Sequence, residues 1–147
     1  MRRKLQCAPQ NSKNFLKEGI WGCQLETVSS FSLLPCAVFL KEFKQLIQQG
    51  NLLVSYSLKN LNSLASLGLT TEMRKGILLS LTVDDYSSGP EPDHNFPGDV
   101  WKFGKEVGEK QLYVKLKIED QGHRKIAKCL SFHIAEREIC THYKPYK

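Results

Sequence analysis

Residues 112–118 read Leu-Tyr-Val-Lys-Leu-Lys-Ile, an unbroken alternation of apolar and polar side chains. A period of two belongs to an extended strand buried on one side only. It sends Leu112, Val114, Leu116 and Ile118 to one face and Tyr113, Lys115 and Lys117 to the other. A strand of this kind needs neighbours in a sheet and a second layer over its apolar face, and these needs limit the folds open to the chain.

The neighbours are legible on either side. Residues 100–104 form a short aromatic strand candidate, and residues 126–133 another, reached through a turn at Gln121-Gly122. In the latter, Ile126, Leu130 and Phe132 suit the core, which sends Ser131 and His133 to the opposite side. Short connections predict an antiparallel meander. The covering layer comes earlier in the chain. Phe39, Leu40, Phe43, Leu46 and Ile47 repeat with helical spacing up to Gly50. A second helix runs from about Ser57 to Gly68, with Leu58, Leu61, Leu64, Ala65 and Leu67 as its inner residues. Thr70 or Thr71 caps a third, whose apolar positions are Met73, Ile77, Leu78 and Leu81. Asp84 and Asp85 are read as capping groups, with Thr82 in a T-x-x-D arrangement. Three prolines and two glycines within residues 87–98 read as a loop. Helices first and strands later give an α+β class, with N-terminal helices packed on one face of a small antiparallel sheet.

The chain has 147 residues, enough for one domain, and no apolar stretch long enough to span a membrane as a helix. Its net charge of +6 is unevenly placed. Residues 82–101 hold five acids and no Lys or Arg, whereas residues 102–147 hold eleven bases against six acids. A polyanion is therefore expected to favour the C-terminal third. Five cysteines without a C-x-x-C fit neither a disulfide framework nor a zinc ribbon, and reduced, idle thiols in a cytoplasmic protein are the simpler expectation. Residues 1–37 show no sustained period and read as an extension or an over-called translation start, the domain opening at Val38 and running to residue 147. The basic start, Met1-Arg2-Arg3-Lys4, is not followed by the apolar stretch of a signal peptide.

The polar side of this sheet is expected to carry Tyr113, Lys115, Lys117, Ser131 and His133, with Trp101 and Lys102 on the neighbouring strand. The set offers an imidazole, a phenol and cations but no clustered carboxylates, so it lacks what a metal-dependent nuclease or a glycosidase needs. It suits cleavage of RNA by the substrate's own 2′-hydroxyl, which calls for a base, an acid and cations around the phosphorane. A solvated lysine-rich face and a passive nucleic-acid surface have the same composition, and the pattern alone leaves all three open.

Several short segments carry a family resemblance: Leu67-Gly68-Leu69-Thr70, Leu81-Thr82-Val83-Asp84-Asp85-Tyr86, Val100-Trp101-Lys102, Leu112-Tyr113-Val114-Lys115 and Ser131-Phe132-His133. In order and spacing, residues 39–147 resemble a divergent branch of the motility quorum-sensing regulator (MqsR) toxins of bacterial type II toxin–antitoxin systems. The resemblance implies a RelE-like fold, an endoribonuclease (mRNA interferase) that cuts free mRNA without metal or cofactor, and neutralisation by a cognate antitoxin. It implies no membrane and no small-molecule ligand. Tyr113 and Lys115 fall on retained family positions, Lys102 replaces a glutamine, His133 replaces a catalytic lysine, and Ser88 or a neighbour replaces another lysine. On this basis Tyr113, His133, Lys115 and Lys102 are the catalytic candidates, and Trp101, Lys105, Lys117 and Ser131 are the RNA-binding candidates. The alternative functions are an RNA- or ribosome-binding translation inhibitor without catalysis, and an antitoxin-binding protein whose activity has decayed.

Overall fold

The computed structural model describes residues 33–142. In chain order the elements are α1 (Leu34–Gln48), β1 (Leu52–Val54), α2 (Leu58–Leu67), α3 (Thr71–Leu79), a 3-10 turn (Val83–Asp85), β2 (Tyr86–Pro92), β3 (Asp99–Val107), β4 (Lys110–Asp120) and β5 (Lys125–Ile134). The protein is α+β, with one five-stranded sheet in the order β1-β5-β4-β3-β2. β2 through β5 pair antiparallel, but β1 runs parallel to β5, so the sheet is mixed and not the purely antiparallel meander expected.

α1 follows from its apolar stripe: Phe39, Leu40, Phe43, Leu46 and Ile47 are all buried. It begins earlier than Val38, with Pro35 in its first turn and Cys36 fully buried, so the packed part of the domain extends upstream of residue 38. Phe39 stacks on Trp101 of β3 with ring centroids 4.9 Å apart, and meets Phe43 in a tilted arrangement at 5.6 Å. Leu78, Leu81, Phe103, Leu112, Val114, Leu116, Ala127, Cys129 and Phe132 complete this cluster.

The reading of β5 needs correction. Lys115 pairs with Ser131 but Leu116 pairs with Cys129, so Leu130 is an extra residue, a bulge. Everything before it changes side. Ala127 and Cys129 enter the cluster, Leu130 is only half-buried, and Ile126 lies outside the cluster. Phe132 follows the bulge and keeps its place in the core, so Ser131 and His133 remain on the other side.

α2 departs from its expected packing in a way that matters later. Leu58 and Leu61 are exposed, and the buried residues of the helix are Asn60 and Ser63. Both face the backbone of β5. β1 satisfies that backbone only up to Cys129, whose carbonyl accepts from the Ser55 N–H. Beyond it, Phe132 N–H donates to Asn60 Oδ1 at 3.0 Å and Ile134 N–H donates to Ser63 Oγ at 2.8 Å. Two helical side chains thus stand where a longer β1 would have continued the ladder. Ser57 caps α2 by accepting from Asn60 N–H, and Thr70 caps α3 by accepting from Met73 N–H.

Residues 86–92 are a strand and not the start of a loop. β2 is an edge, where prolines 90 and 92 cost no ladder bond, and composition that excludes a central strand leaves an edge strand open. Gly89 lets it cross β3 closely, since a Cβ there would lie 2.8 Å from the Val100 carbonyl oxygen. Thr82 and Asp85 form the expected capping pair around the 3-10 turn. No described helix is long and apolar enough to cross a membrane.

Candidate functional site

The side of the sheet that faces away from the aromatic cluster is covered at both ends. At one end, Asp93 in the β2–β3 connection receives a 2.8 Å hydrogen bond from Lys117 Nζ, and the Phe96 ring lies 5.8 Å from the same ammonium. At the other end, residues 135–142 cross the sheet. Gln111 on β4 clamps this segment by donating to the Ile139 carbonyl at 3.0 Å and accepting from the Ile139 N–H at 2.7 Å. Gly104 makes room for the crossing, because a Cβ there would meet Thr141 at 3.0 Å and Ile139 at 3.2 Å. His142 N–H then donates to the Tyr86 carbonyl.

Between the two covers lie Lys102, Tyr113, Lys115, Ser131 and His133. The strand register brings them together: Lys102 is opposite Lys115, Lys115 opposite Ser131, and Tyr113 opposite His133. The Tyr113 and His133 rings are 5.3 Å apart, centre to centre. Together with Lys59, Ala135, Glu136, Arg137 and Ile139 they line a cavity of about 300 Å³. Lys59 comes from the first turn of α2, the helix that Asn60 and Ser63 fasten to β5 on either side of His133. Lys59 Nζ pairs with Glu136 Oε2 at 2.7 Å on the exposed rim.

The electrostatics distinguish the two rings. Burial pushes the Tyr113 phenol above its ordinary range; nearby Lys102 works against this and Glu91 adds to it. Tyr113 is therefore a protonated phenol at neutral pH, ready to donate. His133 Nδ1 lies 3.0 Å from the Ile134 carbonyl oxygen, which can only accept, so Nδ1 donates in this contact, and in the neutral ring the lone pair belongs to Nε2. Lys102 Nζ pairs with Glu91 Oε1 at 2.9 Å; this hydrogen bond raises the lysine and lowers the carboxylate from their usual values.

Two of the expected RNA contacts are placed on the other side of the sheet and a third is buried. Trp101 is in the core against Phe39, because odd-numbered residues of β3 face the cluster. Lys105 shares that parity and pairs with Asp85 at 3.4 Å. Lys117 is on the expected side but only 2% exposed and held by Asp93, whose carboxyl that hydrogen bond pulls down to about 2. Ser131 is on the expected side, and Ser88 pairs with Lys102 across β2 and β3.

Lys59, Glu136, Arg137 and Glu91 were not read from the sequence as site residues. For Lys59 the only available signal was its place beside Asn60 in the first turn of the helix. Cys36 and Cys129 are free, buried and pushed up to about 12 by that burial, which makes them poor nucleophiles. Cys140 is disulfide-bonded, so the expectation of wholly reduced thiols does not hold for it. The described residues contain no group of three or more His, Cys, Asp or Glu placed to hold a metal ion. Comparison with protein-family models, with curated proteins and with solved structures found no match for this chain.

Proposed function

We propose that the protein is an endoribonuclease that cuts free mRNA by attack of the substrate's 2′-hydroxyl, with protein groups moving the protons. The observation that carries this reading is the Tyr113–His133 pair. The two rings lie opposite each other on neighbouring strands, 5.3 Å apart, at the wall of a cavity that two further cations also line. His133 Nε2 takes the proton of the 2′-hydroxyl as its oxygen bonds to phosphorus. The phenol of Tyr113 gives its proton to the 5′-oxygen as the P–O5′ bond breaks. The products are a 2′,3′-cyclic phosphate and a free 5′-hydroxyl. Lys115 has no carboxylate within ion-pair distance among the described residues, and with Arg137 it stabilises the charge that builds on the phosphorane.

With this function goes the role of a type II toxin, RelE-like in fold, with α1 stacked on the sheet side opposite Tyr113 and His133 and with a cognate antitoxin as its protein partner. The packing of Phe39 against Trp101 supports that layering. The test uses the purified full chain and a defined RNA in excess EDTA, with the product ends mapped. Cyclic phosphate ends are expected, and His133→Ala should cut at least ~100-fold more slowly. RNA that is bound in a salt-sensitive way but stays intact identifies the non-catalytic binder instead.

A further inference from the structure

The acidic stretch of residues 82–101 is folded onto the basic strands that follow it, and three of its carboxylates meet three lysines there. They are Asp85 with Lys105, Glu91 with Lys102 and Asp93 with Lys117. The three pairs differ in how they are held. Asp93 and Lys117 are nearly sealed from solvent, with side chains 10% and 2% exposed, and the Asn95 N–H also bonds Asp93. Asp85 is tied at its own turn by the Thr82 N–H. Glu91 has neither support. Its side chain is 40% exposed, and its hydrogen bond among the described residues is the one from Lys102.

Glu91 also sits where the site chemistry is. Its charge raises both Lys102 and Tyr113, and the charges of Lys102 and Lys115 lower Glu91 itself. The edge strand β2, drawn close over β3 at Gly89, carries it there. A carboxylate and a phosphodiester present ammonium groups with the same thing, a monoanion with two accepting oxygens. An exposed ion pair contributes little net stability, so exchanging one anion for the other costs little.

We infer that Glu91 sets the affinity of this site, its carboxylate holding on Lys102, the residue opposite Lys115, the place that a phosphodiester of a single RNA strand takes when it displaces Glu91. The inference rests on the ribonuclease reading for the identity of the strand, but binding tests it separately from cutting. The resident carboxylate turns away isolated anions, and a strand prevails because its neighbouring nucleotides add contacts, at the cavity of Tyr113, His133 and Arg137 among others.

The experiment measures binding of a short 2′-O-methyl oligoribonucleotide, which lacks the attacking hydroxyl, to the full chain by fluorescence anisotropy across a range of salt. Glu91→Gln is expected to bind about three- to tenfold tighter at low salt, with the gain shrinking as salt screens the site. Glu91→Ser should show the same gain. In the Lys102→Met background, Glu91→Gln should recover only the smaller part owed to Lys115. A merely structural Glu91 gives equal or weaker binding in both variants with circular dichroism unchanged, and that result overturns the inference even if the wild type cuts RNA. A gain in binding with no cleavage of unmodified RNA by any form keeps the inference and removes the ribonuclease. No binding by any form at low salt overturns both.

Discussion

The two sides of the sheet are made from alternate residues of the same strands, yet they are held together by different physics. On one side Phe39, Phe43, Trp101 and Phe103 pack with aliphatic residues in a buried cluster, where close contact and removal of apolar surface supply the stability. On the other side ion pairs and backbone clamps fasten a cover at each end, and the middle is left to Tyr113, His133, Lys102 and Lys115. The first side tolerates little change in shape. The second is organised by charge, with Lys102 and Lys117 each held by a carboxylate. The contrast teaches that the polar side is not simply the solvated remainder of the sheet: two of its lysines are matched with carboxylates in space, and the cavity beside the two rings lies between the covers.

If this contrast holds, variants on the two sides must fail differently. Phe43→Ala, on the dry side and fully buried, is expected to lose about 4 kcal/mol of folding stability. Equilibrium denaturation measures it, and a loss below about 1 kcal/mol would mean that the cluster is loosely packed. Tyr113→Phe, on the polar side, should leave the melting temperature within a few degrees of wild type and lower the rate of RNA cleavage ~100-fold. A variant that melts early and cuts normally would assign the phenol to packing. The smallest effect belongs to the cover. Asp93 is held at about 2, below its ordinary value of 3.8, by the hydrogen bond from Lys117. Its depressed value means that the pair stabilises the fold above about pH 4, and that this contribution fades as the pH falls through about 2. Asp93→Asn should therefore be less stable than wild type at neutral pH, and the denaturant midpoints of the two should converge near pH 2. A gap that stays constant with pH would place the effect of Asp93 outside its charge.

Much of the dry side was legible in the sequence, because period and apolarity report burial directly. The α1 stripe, the alternation of β4, the start of α2 at about Ser57 and the caps at Thr70 and Thr82 follow from local rules and appear where those rules put them. What escaped the reading lies where local rules conflict with tertiary need. An extra residue at Leu130 reverses the first half of β5 with no mark in the sequence. α2 presents polar side chains inward because β5 has backbone donors to satisfy, which an apolar pattern cannot announce. The three-residue β1 is too short to show a period. The acidic block and the basic strands read as separate charges along the chain, whereas in space three of the five acids pair with lysines of those strands. Of the site, the Tyr113–His133 side was within reach of the period-two argument, since the bulge precedes Phe132. Lys59, Arg137 and Glu91 arrive from elements whose docking no local pattern reports.

The central claim is that the phenol and the imidazole divide the proton transfers at one phosphodiester between them. The most direct measurement is the single-turnover cleavage rate of a defined RNA in EDTA by wild type, Tyr113→Phe, His133→Ala and the double variant, with product ends identified. The account expects each single change to cost ~100-fold or more and the double to cost little beyond the worse of the two, since the groups act as a unit. Equal rates for wild type and His133→Ala would contradict it.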